Sequence, residues 1–173
     1  RGMCAQPCRL PFTSAYGNGH LFSTKDMCTL MHIPELVDAG IDSFKIEGRM
    51  KKKEYSAYLS SLYRHYVDVY ESEGKETFQA LVQNKESRLW KDIRRSKDIY
   101  NRGGFCAGYL FETDKKNIMY PKKNGHFGTC VGTVLKASKG QAVFRVKEAL
   151  HYQDILEFRL EDDTKAYEYT VKN

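Results

Sequence analysis

Between Lys51 and Glu73, apolar and aromatic side chains recur at intervals of three and four residues, which is the strongest periodic signal in the chain. The positions are Tyr55, Tyr58, Leu59, Leu62, Tyr63, Tyr66, Val67 and Tyr70. Because an α-helix has about 3.6 residues per turn, this spacing places them on one stripe of a helix, which we expect to end at Gly74. We interpret the stripe as a face packed against a sheet, in preference to a platform on which nucleic-acid bases stack.

The residues before this helix predict a shorter helix followed by a strand. Pro34 suits a first helical turn, and Gly40 lies where a helix starting near it would stop. Residues 42–48 look like an extended, buried strand. A helix, a short glycine-containing loop and a strand form half of a βαβ unit, so we expect the end of a parallel βα barrel. Since Arg1 opens the chain inside a cysteine motif, we expect the remaining strands in an N-terminal part that precedes it.

The pattern changes towards the C-terminus. Residues 75–100 fit two shorter helices joined near Asn84, and after residue 105 short β-branched and aromatic runs alternate with turn residues. Four strands are predicted, at residues 128–137, 141–147, 155–160 and 166–171. Ser138-Lys139-Gly140 and Asp162-Asp163 are their predicted hairpin turns. Several short strands in so few residues favour a small antiparallel β-barrel.

The predicted fold class is therefore α/β followed by all-β, in three parts. Residues 1–74 form the end of a truncated βα (TIM-like) barrel, residues 75–110 a helical connection, and residues 111–173 the small β-barrel. We expect the domain boundary between residues 101 and 120.

The charge balance allows an anionic partner without identifying one. The 173 residues carry 28 Lys and Arg against 22 Asp and Glu, a net charge of +6 with His neutral. Most of this excess falls in residues 51–110, where a polyanion would be drawn first. Arg94 and Arg95 fit a solvated helix face about as well as an RNA-contacting ridge. Arg102, Lys122 and Lys123 are further candidate RNA contacts.

The sequence shows no membrane-spanning segment and no signal peptide, which bears on the cellular compartment. No apolar run approaches the roughly 20 residues that span a bilayer, and no signal peptide opens the chain, so we expect a soluble protein with no membrane contact. An odd number of cysteines without secretory features argues against a disulfide framework. We therefore expect a reducing, cytoplasmic location.

Cys4 and Cys8 stand apart from the other cysteines because three residues separate them and Pro7 stiffens the loop. Two thiols at this spacing can reach a shared soft metal or cluster, although the spacing alone favours two ordinary thiols. Cys28, Cys106 and Cys130 lie beside apolar or small neighbours and are expected to be packing residues.

Several segments together resemble a known family, the collagenase-like peptidases of peptidase family U32. They are Arg1-Gly2-Met3-Cys4-Ala5-Gln6-Pro7-Cys8-Arg9, Leu21-Phe22-Ser23-Thr24-Lys25-Asp26-Met27-Cys28, Ile33-Pro34-Glu35-Leu36, Ala39-Gly40-Ile41-Asp42-Ser43-Phe44-Lys45-Ile46-Glu47-Gly48-Arg49-Met50-Lys51 and Asn101-Arg102-Gly103-Gly104-Phe105. The stretch from residue 128 to residue 158 also looks like the C-terminal β-barrel of that family. The resemblance covers nearly the whole chain.

This resemblance implies an incomplete eight-stranded βα barrel, helices and a β-barrel. Several members resemble RNA-modifying enzymes that hydroxylate the wobble uridine of tRNA, or a cytidine of large-subunit rRNA, with prephenate-linked metabolism. It implies that Cys4 and Cys8 are two of four cysteine ligands of an iron–sulfur cluster, the others lying before Arg1. Cys28 is a less favoured surrogate ligand. The implied partners are tRNA or rRNA and a paralogous subunit.

The candidate chemistry centres on the end of the predicted strand. Glu47 would lie at the C-terminal end of a barrel strand, where it could act as general base, hydrogen-bond a base or a substrate hydroxyl, or only pair with Arg49 or a lysine. Arg49 and Lys51 enter the long helix, where cations and free N–H groups suit a phosphate or carboxylate. Arg9, in the cysteine motif, completes the candidate RNA-binding residues.

Three functional classes remain open from the sequence. RNA hydroxylation, of the tRNA wobble uridine by preference, explains a redox centre, a basic path and an appended β-barrel together. A peptidase that degrades collagen-like or other peptides is the alternative, but the chain contains neither His-Glu-x-x-His nor Gly-x-Ser-x-Gly. The third class is a noncatalytic RNA-binding or positioning module.

Overall fold

The computed structural model describes residues 4–15, 17–48, 51–162 and 164–172, which fall into two compact units. The first unit is Arg1–Thr129 and the second is Cys130–Asn173. Within the described residues, no helix has both the length and the apolar character needed to cross a membrane. Each unit is described by itself below.

Three helices organise the first unit. They are α1 (Ile33–Asp38), α2 (Lys53–Gln83) and α3 (Arg88–Ile99). Gly74 interrupts α2 with a non-helical φ of 81° and ψ of 177°, so the predicted end of the first helix is a break, after which the chain continues as a helix to Gln83. Asn84 ends this second stretch, and the Ser87 side chain accepts a hydrogen bond from the backbone of Trp90 to begin α3. The two predicted shorter helices are confirmed.

The core of the first unit lies where these helices meet. Its buried members are Cys28, Leu30, Ile33, Leu62, Tyr66, Val67, Phe78, Leu89 and Ile93. The predicted stripe of α2 supplies Leu62, Tyr66 and Val67, so its interpretation as a packing face is confirmed. The stripe packs against neighbouring helices, however, instead of a sheet, and the Tyr66 hydroxyl donates to Asp92 of α3 (2.8 Å).

Residues 42–48 contradict the predicted strand, because among the described residues none pairs with this segment. The burial of its side chains alternates as in a strand. Phe44 and Ile46 are half-buried, whereas Ser43, Lys45 and Glu47 are exposed. A strand requires ladder hydrogen bonds from a neighbour, and alternation of side chains alone does not provide them. The βα barrel thus stays a prediction.

The first unit also contains two pairs of short strands. A small antiparallel hairpin joins β1 (Phe12–Ser14) to β2 (Gly17–Gly19). Further along the chain, β3 (Asp26–Met27) pairs in parallel with β4 (Phe105–Cys106). The single-turn helix α4 (Gly108–Phe111) follows β4.

Residues 111–129 belong to the first unit, so the structure places the boundary at residue 129, later than the predicted one. The reason is a backbone ladder between residues 118–121 and residues 20–25. In it Lys25 N–H donates to Ile118 C=O (2.8 Å), and Tyr120 N–H donates to Ser23 C=O (2.8 Å). Ladder pairing between distant segments is not visible in local sequence patterns.

The second unit consists of two β-hairpins. β5 (Gly132–Ser138) pairs with β6 (Gln141–Val146), and β7 (Ile155–Arg159) pairs with β8 (Lys165–Thr170). The turn between β5 and β6 has positive φ at both central residues, which is the geometry that matches the twist of a two-residue hairpin. The four predicted strands are confirmed, with shifts of a few residues at their ends.

The described strands of the second unit form two separate two-stranded sheets and no closed barrel. Phe144 of β6 and Phe158 of β7 join the hairpins through a perpendicular ring contact with centroids 5.6 Å apart. The small β-barrel is therefore still a prediction, while the hairpins that would build it are present.

Candidate functional site

The Asn-Arg-Gly-Gly-Phe stretch after α3 folds into a loop held by one buried side chain. The Asn101 amide nitrogen donates to the carbonyls of Lys97 (2.8 Å) and Gly128 (2.9 Å), and its oxygen accepts from Gly104 N–H (2.9 Å). The backbone N–H of Asn101 also donates to Nδ1 of His126 (3.1 Å). Asn101 therefore fixes both the loop and the position of the imidazole.

Close packing adds a second constraint on the same loop. Gly103 has φ of +73°, and a Cβ there would overlap the Tyr120 ring at 2.2 Å. A residue with a side chain would meet both backbone strain and a steric clash. The loop consequently holds the adjacent Arg102 in one place.

Arg102 faces Asp26, which lies in β3. The backbone N–H of Arg102 donates to Oδ2 of Asp26 (2.7 Å). Burial raises the pKa of the Asp26 carboxyl above its ordinary value, while the charges of Lys51, Arg102 and His126 and the Arg102 hydrogen bond act in the opposite direction. The Nε atom of Arg102 is itself buried and has no hydrogen-bond acceptor among the described residues.

Aromatic rings surround this carboxylate. Tyr100 stacks on His126 with ring centroids 5.2 Å apart and an interplanar angle of 19°, and it meets Tyr55 edge-on at 6.2 Å. The Lys51 ammonium lies 2.9 Å from the centroid of Tyr100 and 5.9 Å from that of Tyr55. A cation on the face of an aromatic ring is attracted by the quadrupole of the ring.

A cavity of about 30 Å³, about the volume of one water molecule, lies beside Asp26. Asp26, Tyr55 and Tyr100 line it together with apolar core residues, among them Leu59 and Phe105. We give the name Asp26 pocket to six residues: Asp26, Lys51, Tyr55, Tyr100, Arg102 and His126. The first, third and fourth of these line the cavity, whereas the charges of the other three act on Asp26 without lining it. It combines a half-buried carboxylate, two cations and aromatic rings, which are the kinds of group that bind nucleotides.

The cysteine motif forms a separate turn. Cys4 is exposed and Cys8 is half-buried. The backbone N–H of Gln6 donates to Cys4 Sγ (3.3 Å), and a 3-10 turn follows at Pro7–Arg9. Asn124 donates to the Arg9 carbonyl (2.7 Å), which ties this turn to the segment that carries Lys122 and Lys123.

The donors of this turn suit a soft metal, since thiolates are the usual ligands of iron–sulfur clusters. Within the described ranges, however, no three His, Cys, Asp or Glu side chains group so that they could hold a metal ion. The described residues therefore offer two candidate thiols, Cys4 and Cys8, and do not fit a complete four-ligand site.

Glu47 does not lie where the sequence predicted. Its side chain is 71% exposed and stands 4.0 Å from the ammonium of Lys45, so it is not a buried carboxylate at a strand end. Among the residues that the structure describes, no strand pairs with segment 42–48 to cover it, which explains the exposure. The charge of Glu47 nevertheless contributes to raising the pKa of Tyr55, a rise caused mainly by burial. Arg49, its alternative partner, lies outside the described residues.

Asp26 is a half-buried carboxylate that sequence reasoning did not single out as a functional residue. Its neighbours Thr24 and Lys25 are polar, so local hydrophobicity gives no sign of burial. The available signal was its place in one of the segments that resemble the family.

The remaining predicted RNA contacts divide into two groups. Lys51 and Arg102 come together at the Asp26 pocket. Arg94 and Arg95 lie on the exposed part of α3: Arg94 donates to the Lys85 carbonyl (3.2 Å) and faces Glu86 at 3.7 Å, and the Arg95 guanidinium lies 6.0 Å from the Tyr58 ring centroid. These two arginines are not part of the pocket.

Lys122 and Lys123 belong to the segment tied to the cysteine turn. Lys122 is exposed and Lys123 is half-buried. The Lys123 carbonyl accepts from the Ser23 hydroxyl (3.0 Å), and its ammonium lies 5.8 Å from the Phe127 ring centroid.

The other three cysteines differ in how deeply they are buried. Cys28 and Cys106 are buried, as predicted for packing residues, and Cys28 N–H donates to the Cys106 carbonyl (2.9 Å). Burial raises the pKa of the Cys28 thiol, so this residue is a poor surrogate ligand. Cys130 is exposed, which contradicts its predicted packing role. Its Sγ lies 3.5 Å from the Lys147 ammonium.

Comparison with known sequences gives a match to peptidase family U32 over residues 1–120. The chain is similar to the 23S rRNA 5-hydroxycytidine C2501 synthase of Escherichia coli, with 31% identity over 157 residues, 87% of this chain and 23% of that protein. It is also similar to tRNA hydroxylation protein P2 of Bacillus subtilis, with 44% identity over 50 residues, 29% of this chain and 16% of that protein.

A third relative carries a different description. The chain is 35% identical over 77 residues to a collagenase of Porphyromonas gingivalis, covering 40% of this chain and 21% of that protein. In these three comparisons the chain spans less than a quarter of the length of the relative. No solved structure matches the chain.

Proposed function

The chain belongs to peptidase family U32, and from this membership we propose that it is part of a protein that hydroxylates a pyrimidine base of RNA. The observation that carries the proposal is the similarity to the rRNA 5-hydroxycytidine synthase. It covers 87% of the chain, about 150 of 173 residues, which is more than the 129 residues of the first unit. The alignment therefore reaches into the second unit as well.

The Asp26 pocket supports this proposal. RNA recognition outside a double helix uses aromatic stacking, hydrogen bonds to base edges and cations for the phosphates. Tyr100, Asp26 and Lys51 are groups of these three kinds, and they lie close together. A peptidase would instead need an activated nucleophile or metal-bound water. Cys28 and Ser96 line the cavity, but burial raises the pKa of the Cys28 thiol and the Ser96 hydroxyl donates to the Asp92 carbonyl (2.8 Å).

Hydroxylation of a base is an oxidation, so the protein requires a redox group. We propose that Cys4 and Cys8 supply two of the ligands of an iron–sulfur cluster, whose remaining ligands lie outside the described residues. The cluster would supply electron transfer when bound. Prephenate is the proposed co-substrate; as a dicarboxylate, it suits the same cationic surroundings as RNA.

Within RNA, we propose the wobble uridine of tRNA as the primary target. The 44% identity to a tRNA hydroxylation protein, although over a shorter stretch, supports this choice. A cytidine of large-subunit rRNA is the second candidate, because the rRNA synthase matches more of the chain. A paralogous subunit of the same family is a proposed partner: Bacillus subtilis has two tRNA hydroxylation proteins, P1 and P2, and both are similar to this chain.

Mass spectrometry of nucleosides tests the proposal. tRNA and rRNA from a strain that lacks the gene should lose 5-hydroxyuridine or 5-hydroxycytidine, and the modified base that disappears identifies the target. Purified full-length protein should leave denatured collagen intact. Unchanged amounts of both nucleosides would refute RNA hydroxylation. Cleavage of denatured collagen by the purified protein, but not by an inactivated sample of the same preparation, would favour the peptidase alternative.

A further inference from the structure

Charge is unevenly divided between the two hairpins of the second unit. Residues 130–147, which include β5 and β6, contain four Lys and Arg and no Asp or Glu. Residues 148–173, which include β7 and β8, contain seven Asp and Glu against three Lys and Arg. We call the first segment the basic hairpin and define it by its four cations: Lys136, Lys139, Arg145 and Lys147. A segment with charges of one sign attracts ligands of the opposite sign.

The carboxylates of the neighbouring hairpin do not neutralise the basic hairpin. Two of them pair with cations of their own hairpin: Glu157 with Arg159 (2.7 Å) and Glu168 with Lys165 (2.6 Å). In the part of the chain that the structure describes, no ion pair joins a cation of the basic hairpin to a carboxylate. All four cations are exposed, so their charges are available to a partner.

The strand register places cations on the outer face of the basic hairpin. Phe144 of β6 contacts Phe158 of the second hairpin, so the side of the ladder that carries Phe144 is the inner face. Because successive side chains of a strand point to opposite faces, the neighbouring Arg145 is on the outer face. Lys136 shares this face, since it is paired with Val143, which lies two residues before Arg145.

Lys147 extends this row of cations by one step. Its backbone N–H donates to the Val131 carbonyl (2.8 Å), which continues the ladder two residues beyond Arg145. Residues two apart on a strand are separated by about 6.5 Å, so the row from Lys147 to Lys136 is about 13 Å long. Lys139 lies in the exposed turn that follows β5. The outer face therefore presents a line of positive charges instead of a single cation.

The outer face offers charge without aromatic rings. Phe144 is the one aromatic residue among residues 130–147, and it is on the inner face. Val143, on the outer face, is 60% exposed. Unpaired bases are held by stacking on aromatic side chains, whereas phosphates are held by cations. A face of this composition suits a phosphate backbone whose bases are already stacked on one another.

We propose that the outer face of the basic hairpin binds the phosphate backbone of a base-paired stem in the RNA substrate. Lys136, Arg145 and Lys147 pair with phosphates along the stem, and Lys139 adds a further contact at the turn. These contacts position the RNA without reading its sequence, because phosphates are the same at every nucleotide. The inference rests on the proposed function and assigns the holding of the RNA to the second unit.

Salt-dependent binding of RNA tests the inference directly. The full-length protein is titrated with a fluorescein-labelled RNA stem-loop at several salt concentrations, because the slope of log affinity against log salt reports the number of phosphates that cations neutralise. Lys136→Gln and Arg145→Gln should each reduce this slope by about one, and the triple variant that adds Lys147→Gln by about three. At low salt the triple variant should bind at least about tenfold more weakly than the wild type. A second stem of equal length and different sequence should bind the wild type equally well.

Matched variants separate the basic hairpin from a general effect of charge. Lys165→Gln removes the same charge from the neighbouring hairpin, where Lys165 already pairs with Glu168, so it should leave both the slope and the affinity unchanged. Arg145→Lys keeps the positive charge and should retain most of the affinity, since a phosphate accepts from either cation. Circular dichroism checks that each variant folds. If the triple variant does not fold, the single variants at Lys136 and Arg145 decide the outcome through their slopes.

Three results would overturn the inference. The first is an unchanged slope and affinity in the folded variants. The second is a wild-type dimer in analytical ultracentrifugation that the triple variant abolishes while RNA binding stays the same, because the acidic hairpin of a second copy would then be the partner. The third is loss of binding to phosphatidylserine vesicles in the triple variant with no loss of RNA binding, which would assign the face to a lipid surface.

A second readout distinguishes this inference from the proposed function. In a strain whose single copy of the gene carries the triple variant, RNA hydroxylation should fall, whereas the Lys165→Gln strain should modify its RNA normally. If complete loss of the gene leaves hydroxylation unchanged, the proposed function fails, and the stem-loop titration still decides whether the basic hairpin binds RNA. If loss of the gene abolishes hydroxylation but the triple variant neither binds the stem-loop more weakly nor reduces hydroxylation, the inference about the basic hairpin alone fails.

Discussion

At the scale of single residues, Asp26 is a half-buried carboxylate whose pKa is raised by burial, while the charges of Lys51 and Arg102 act in the opposite direction. From the sequence we predicted Glu47 as the catalytic candidate, because a carboxylate after a predicted strand is a common catalytic arrangement. That reasoning depended on strand neighbours which the described residues do not provide. Burial of Asp26 results instead from contacts between residues far apart in the chain, including the Arg102 hydrogen bond across 76 positions, and such contacts leave no local pattern.

Asp26 predicts a specific dependence of stability on pH. Since its pKa in the folded protein is raised above the ordinary 3.8, its contribution to stability is fully present below pH 3.8 and is lost as pH rises through the folded pKa. The free energy of unfolding of Asp26→Asn, measured in urea, should therefore gain on the wild type as pH increases from about 4.

Asp38→Asn is the control of opposite sign. Hydrogen bonds from Tyr70 and Lys75 lower the pKa of Asp38, so its contribution is present above pH 3.8 and is lost as pH falls through the folded pKa. The two variants should change with pH in opposite directions relative to the wild type. Parallel curves for both would contradict the burial assigned to Asp26.

Truncation of the Asn101 side chain should cause a large loss of stability. Asn101→Ala removes three side-chain hydrogen bonds and leaves the carbonyls of Lys97 and Gly128 and the N–H of Gly104 without this partner. We expect a decrease of about 3 kcal/mol in the free energy of unfolding, because unsatisfied buried groups cost more than the bonds themselves contribute. Asn117→Ala, at an exposed position, should cost less than about 1 kcal/mol. Equal losses in the two variants would show that Asn101 does not hold the loop.

At the scale of secondary-structure elements, local patterns predicted helices better than sheets. The three- and four-residue spacing located α2 and its buried face, because helix hydrogen bonds form between residues close in sequence. The hairpin turn at Lys139 and Gly140 was equally visible. Segment 42–48 shows the limit: its alternation is real, with Phe44 and Ile46 turned inward, but strand formation depends on a partner that local sequence cannot identify.

The break in α2 predicts a cost for any side chain at Gly74. Its φ of 81° and ψ of 177° lie in a region almost confined to glycine, and a Cβ would meet no atom within 4 Å. Gly74→Ala should therefore lower the free energy of unfolding by about 1–3 kcal/mol through backbone strain alone. Urea unfolding followed by circular dichroism measures this.

Glu73→Ala provides the neighbouring comparison, since Glu73 is an exposed residue immediately before the break. Its effect should stay within about 0.5 kcal/mol. If Gly74→Ala instead stabilises the protein, as alanine does in an ordinary helix interior, the break in α2 would not be a feature of the folded protein in solution.

At the scale of the whole molecule, the sequence comparisons cover the two units to different extents. The family match covers residues 1–120, which fall within the first unit and contain the cysteine turn and every residue of the Asp26 pocket except His126. The second unit is known by its two hairpins and by the longer alignment with the rRNA synthase. Closure of a barrel depends on pairing between hairpins, so the sequence predicted the strands of this unit with more success than their assembly.

The cysteine turn predicts the metal content of the natural full-length protein. Purified without air, the protein should contain iron and acid-labile sulfide, and Cys4→Ser or Cys8→Ser should reduce both. Cys130→Ser, at an exposed thiol in the second unit, should leave them unchanged. Absence of iron and sulfide from the wild type, or equal loss in all three variants, would contradict the assignment of Cys4 and Cys8 as cluster ligands.

The most direct test of RNA hydroxylation is the return of the modified base when the gene is restored. A strain that lacks the gene is given a plasmid with the wild-type gene or an empty plasmid, and 5-hydroxyuridine in tRNA and 5-hydroxycytidine in rRNA are quantified by mass spectrometry. We predict that one of the two nucleosides is absent with the empty plasmid and returns to its wild-type amount with the gene. Equal amounts of both nucleosides in the two strains would contradict the proposed function.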